Sequence, residues 1–88
     1  MILVTGATGL VGGHLLWHLL QQNDRIIALK RISGNLESLK KIFSFYTVRP
    51  DDFMQRIEWR IGDINDRMSL EEALEGVDEI YHCAANVS

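Results

Sequence analysis

Three glycines, Gly6, Gly9 and Gly12, sit where an apolar run stops and a helical pattern starts. This junction constrains the chain more than any other feature. Ile2-Leu3-Val4-Thr5 is a short continuous apolar run ending at glycine, the pattern of a strand buried on both faces. Beyond the glycines, Leu15, Leu16, Leu19 and Leu20 fall on one stripe of a helix from about Leu10 or Val11 to Gln22. A strand that turns directly into a helix predicts a crossover unit, and such units build parallel sheets with right-handed connections.

The remaining residues repeat that alternation. Asn23-Asp24 reads as a turn, and Arg25 to Lys30 holds a second buried strand around Ile26-Ile27-Ala28-Leu29. Ser33-Gly34-Asn35 is a loop, after which Leu36, Leu39, Ile42 and Phe43 recur at helical spacing to about Phe45. Pro50-Asp51-Asp52-Phe53-Met54 fits the first turn of a short helix, because proline suits the first helical position. Ile57-Glu58-Trp59-Arg60-Ile61 alternates apolar and polar, which marks a third strand with one wetter face. Ser69-x-x-Glu72 reads as a capping box opening a helix through Leu70, Ala73 and Leu74 that stops at Gly76. Glu79 to Ala84 is a fourth strand. The expectation is an α/β chain, a partial doubly wound parallel sheet of Rossmann type. It has about four strands in the order 3-2-1-4 and three helices, besides the short turn at Pro50.

Composition narrows the partners. The net charge is −3, from nine basic and twelve acidic residues, so no basic nucleic-acid footprint exists. An apolar fraction of 47% against 24% charged excludes disorder by composition. Cys83 is the only cysteine, which excludes an internal disulfide and reads as a buried, inert thiol. No apolar run approaches the ~18 residues of a membrane span. The amino-terminal run lacks a basic segment and is broken by Gly6, Thr8 and Gly9, so it reads as a first strand of a cytoplasmic protein rather than a signal peptide. His14 and His18 stand four apart on the first helix without an acidic or cysteine partner nearby; they read as surface histidines, and no metal site is expected. Trp17 and Trp59 read as packing residues.

The glycine loop carries the chemistry. Gly6 permits a tight turn out of the strand. Gly9 has no Cβ, so a pyrophosphate can approach the backbone, and Gly12 lets the helix pack closely on the sheet. The loop and first helical turn, with Thr8, Leu10 and Val11, then offer unpaired N–H groups to phosphate oxygens. The helix dipole adds about 0.3–1 kcal/mol of attraction for an anion.

Thr5-Gly6-Ala7-Thr8-Gly9-Leu10-Val11-Gly12 resembles the T-G-x-x-G-x-x-G fingerprint of the extended short-chain dehydrogenases/reductases. That superfamily includes nucleotide-sugar epimerases and dehydratases, dihydroflavonol reductases and 3β-hydroxysteroid dehydrogenases. Gly62-Asp63-Ile64 resembles its G-D-hydrophobic step, and His82-Cys83-Ala84-Ala85 its H-x-A-A step. The resemblance implies an NAD(P) cofactor. It implies that Asp63 accepts from the adenine amino group, that Ile64 lines the adenine pocket, and that Ala84 and Ala85 lie beside the nicotinamide-side ribose.

An acid is expected at the end of the second strand in NAD enzymes, to hold the adenosine ribose. Lys30 stands there, followed by Arg31. Neither accepts hydrogen bonds from ribose hydroxyls, and both pair with a 2′-phosphate. The expected cofactor is therefore NADP, with NAD as the alternative if this basic pair merely ends a strand in solvent. Ser33 and Asn35 stand close enough in sequence to add a phosphate contact.

The family's Tyr-x-x-x-Lys pair is absent: Tyr46 is followed four residues on by Pro50, and Tyr81 by Ala85. Ser88 directly follows the fourth strand, whereas the family's catalytic serine follows the next one, so no catalytic residue is assigned. The expectation is an amino-terminal part of an NAD(P)-binding Rossmann domain over residues 1–88, catalytically incomplete alone. Its substrate is then met only in the full-length protein, and the bare outer edge of the fourth strand is open to self-association. The competing expectation is a non-catalytic NADP(H) sensor.

Overall fold

The computed structural model describes residues 1–30, 36–63 and 65–83. In chain order these form β1 (Ile2–Thr5), α1 (Leu10–Gln22), β2 (Ile26–Lys30), α2 (Glu37–Ser44), α3 (Pro50–Met54), β3 (Ile57–Ile61), α4 (Arg67–Ala73) and β4 (Glu79–His82). The four strands make one parallel sheet in the order β3-β2-β1-β4, as expected for a partial doubly wound sheet. α3 is the short helix that Pro50 predicts, beside the three longer ones.

Strand alternation divides the core in two. Val4, Ile26 and Ala28 face Leu16, Leu20, Leu39 and Phe43 of α1 and α2. Leu3, Ile27 and Leu29 face Ala73, with Leu70, Leu74 and Val77 packed around them. β1 and β2 are buried on both faces, which is why their sequences read as unbroken apolar runs. β3 and β4 are the sheet edges. β4 is exposed at all four positions and pairs only with β1 among the described residues. No helix among the described residues is long and apolar enough to cross a membrane.

Two arginines flanking and within β3 close helix ends. Arg56 donates to the carbonyls of Leu20, Asn23 (2.6 Å) and Asp24 (2.9 Å), at the end of α1. Arg60 donates to Ala73 (2.8 Å) and Glu75 (2.7 Å) at the end of α4, and to Glu58 at 3.0 Å. Both satisfy carbonyls that a helix cannot pair internally.

The expected capping box at Ser69 is corrected. α4 begins at Arg67, and Asp66 is its N-cap, accepting from the N–H groups of Met68 and Ser69. Asp66 is an equally good capping residue placed three positions earlier, so the helix gains most of a turn by starting there. The Ser69 hydroxyl instead accepts from the Asp63 N–H at 3.2 Å and ties down the loop after β3. The expected fourth strand is also shorter, since it ends at His82.

Candidate functional site

Parallel strands share one carboxyl edge. β1 ends at Thr5, β2 at Lys30, β3 at Ile61 and β4 at His82. The predicted site residues within the described part, Gly6, Thr8, Gly9, Leu10, Val11, Gly12, Lys30 and Asp63, all lie along that edge or just beyond it. In open parallel sheets the crevice outside this edge is where ligands bind. Arg31, Ile64, Ala84 and Ala85 lie outside the described residues, as do Ser33, Asn35 and Ser88.

Gly6 turns the chain out of β1 at a φ of +69°, where an L side chain is strained. A Cβ at Gly6 would also strike the Cys83 carbonyl at the end of β4. The Gly9 N–H donates back to the Gly6 carbonyl at 3.0 Å and closes the turn. Gly9 is the N-cap of α1 and supplies no side-chain cap. The first helical bond runs from the Gly13 N–H to the Gly9 carbonyl at 2.8 Å. The N–H groups of Leu10, Val11 and Gly12 are thus the helix's open donors. No acidic side chain in the first turn competes for its positive end. The side chains of Leu10 and Val11 are about 70% exposed beside those donors.

Gly12 does not act as the sequence reading expects. A Cβ there would strike the Gly6 carbonyl and crowd Ala7, so the close approach is to the glycine turn rather than to the sheet. Gly13 brings α1 against its neighbour: its Cβ would stand 2.7 Å from Ile42 Cδ1 and 3.3 Å from Leu39 Cδ1. The doubled glycine was the available signal for this second role.

The sequence patterns point to no side-chain role for Thr5 or His82, although both sit inside the glycine and H-x-A-A motifs. Thr5 is buried, and its Oγ1 lies 2.6 Å from His82 Nδ1. They are register partners at the ends of β1 and β4. The bond joins the two strand ends that flank the turn at Gly6.

Lys30 is half-buried, with its Nζ 5.9 Å from the centre of the Trp59 ring. Its carbonyl accepts from the Gly62 N–H at 2.9 Å, which places Asp63 next to the end of β2. One carboxylate oxygen of Asp63 accepts from the Asn65 N–H at 2.9 Å. Asp63 is therefore a turn residue as well as a candidate ligand group. His14 and His18 both approach Tyr46, His14 through a 2.5 Å hydrogen bond to the phenol oxygen. Among the described residues no three His, Cys, Asp or Glu side chains gather as a metal site would need.

The family model for NAD dependent epimerase/dehydratase proteins matches residues 2–88. The chain is similar to a sterol demethylase protein B of Methylococcus capsulatus, 36% identical over 98% of this chain and 22% of that protein. It is also similar to a putative dihydroflavonol 4-reductase of Synechocystis, 34% identical over 97% of this chain and 21% of that protein. The solved structure of gox2253 superposes with a TM-score of 0.75 at 29% identity, covering 99% of this chain and 22% of that one. The chain thus spans about a fifth of the length of each of these relatives. With its glycine turn, its parallel strand order and a match across almost every residue, the chain belongs to the NAD dependent epimerase/dehydratase family.

Proposed function

We propose that residues 1–88 are the amino-terminal part of an NAD(P)-binding Rossmann domain, from an NADP-preferring oxidoreductase or nucleotide-sugar epimerase/dehydratase of the cytoplasm. The observation that carries this reading is the uncapped start of α1, packed on Gly6 so tightly that Gly12 has no room for a Cβ. A pyrophosphate fits that place, because open N–H donors and the helix dipole both favour an anion.

Thr8, Gly9, Leu10, Val11 and Gly12 then hold the pyrophosphate. Lys30, with Arg31, takes the 2′-phosphate where an acid would otherwise hold the ribose. Asp63 and Ile64 serve the adenine, and Ala84 and Ala85 leave room beside the nicotinamide ribose. The name of the Synechocystis relative supports the reductase half of the proposal. The acid/base pair and the substrate determinants belong to the rest of the full-length protein, and this chain alone turns nothing over.

Calorimetric titration with NADPH and NADH at equal salt tests the proposal. Tighter binding of NADPH is expected, with the difference reduced in Lys30→Ala. Tighter binding of NADH overturns the NADP preference, and no heat with either overturns the dinucleotide reading.

A further inference from the structure

Trp59 belongs to none of the motifs on which the proposed cofactor site rests. It stands in register with Ala28 on the neighbouring strand, and Lys30 lies two residues further along that strand. Paired residues of parallel strands share a face, and so do alternate residues of one strand, so Trp59 and Lys30 emerge on the same side of the sheet. Ala28 carries only a methyl group and leaves space beside the indole. Trp59 packs on the margin of the α1-side core, and the Lys30 ammonium reaches back to within 5.9 Å of its ring centre. That separation falls within the range of attraction between a cation and an aromatic face.

The contact has a chemical consequence. Among the described residues no carboxylate forms an ion pair with Lys30. An aromatic face attracts the charge without accepting through lone pairs, so the three N–H donors stay open. A lysine on a free stem loses much side-chain freedom when it grips a ligand; one already held against a ring loses less.

We infer that Trp59 is a positioning residue: its indole face holds the Lys30 ammonium at the carboxyl end of β2, ready for the 2′-phosphate of an adenine dinucleotide. The inference rests on the reading of Lys30 given above. It turns an edge-strand packing residue into a determinant of NADP over NAD.

The test compares adenosine 2′,5′-bisphosphate with adenosine 5′-monophosphate, which isolates the 2′-phosphate. Dissociation constants are measured by calorimetry for the unsubstituted chain, Lys30→Ala, Trp59→Leu, Trp59→Met and Trp59→Tyr, each checked for folding by circular dichroism. Trp59→Leu and Trp59→Met are expected to reduce the preference for the bisphosphate by roughly two- to fivefold, the size of an exposed cation–aromatic contact. They leave monophosphate affinity unchanged, and Trp59→Tyr keeps the preference. A purely structural role would weaken both ligands together. If Lys30→Ala lowers the preference while the leucine and methionine variants do not, Trp59 has no positioning role. If Lys30→Ala changes nothing, the reading of Lys30 itself fails, and the inference with it. A check independent of substitution is the ring-current shift of the Lys30 ε-methylene protons in the free chain; their resonance at an ordinary position overturns the contact.

Discussion

Thr5 and His82 are joined side chain to side chain at 2.6 Å across the ends of β1 and β4, although 77 positions separate them in the chain. The bond lies beside the left-handed turn at Gly6, and the Cys83 carbonyl closes the same corner. Thr5→Val keeps the branched shape and removes the hydroxyl. It is expected to lower stability by about 0.5–1.5 kcal/mol, the net worth of one hydrogen bond. A lower urea midpoint with an unchanged slope is the expected result, and an unchanged midpoint refutes the assignment.

Gly12 and Gly13 make opposite predictions. At Gly12 an added methyl meets backbone, which cannot move without displacing the turn. Gly12→Ala should therefore cost about 1–3 kcal/mol or more through overpacking. At Gly13 the methyl meets the tip of Ile42, a side chain that can shift. The strain there is offset by alanine's advantage of about 1 kcal/mol in a helix, so Gly13→Ala should fall within about 1 kcal/mol of the parent. Thermal melts of the two variants distinguish these outcomes; equal losses contradict the assignment of the two contacts.

Arg56 is expected to matter more than an exposed arginine usually does. Its guanidinium serves three carbonyls at the end of α1 from the residue just before β3, and it lies over the Phe53 ring at 5.3 Å. Arg56→Ala should cost about 1.5–3 kcal/mol, the range for hydrogen bonds to a charged group. Arg56→Lys should recover only part of this, because an ammonium cannot reproduce the planar fork. Urea denaturation of both variants measures the difference.

Asp78 sets one part of the acid response. The amino-terminal ammonium hydrogen-bonds it at 2.5 Å and attracts it by charge, which together hold its carboxyl below the ordinary 3.8. A carboxyl lowered on folding contributes stability that is complete above the unfolded pKa and is lost as pH falls through the folded one. Wild-type stability should therefore fall with acid below about pH 4 more steeply than that of Asp78→Asn. Urea midpoints between pH 6 and 2, taken at low salt, check the sign; parallel curves contradict it.

The parts of the fold that could be read in the sequence are those where one residue type answers one physical demand. β1 and β2 are buried on both faces, so their apolar runs have no other explanation. Gly6 needs a positive φ, and the motif placed a glycine there. The start of α4 is not legible in the sequence because Asp66 and Ser69 both make good caps, and local pattern does not choose between them. The contacts of Arg56, Arg60 and His82 join residues remote in sequence, which spacing cannot express. Trp59 packs on the core as the sequence predicts, but its proximity to Lys30 depends on the pairing of β2 with β3.

In the proposed function the open start of α1 receives the cofactor's pyrophosphate. Amide NMR spectra of the chain, titrated with NADPH, test this contact residue by residue. The N–H signals of Gly9, Leu10, Val11 and Gly12 are expected to move together and saturate, while those of Lys41 in α2 and Glu72 in α4 stay in place. Saturating NADPH that leaves the Gly9 to Gly12 signals unmoved contradicts it.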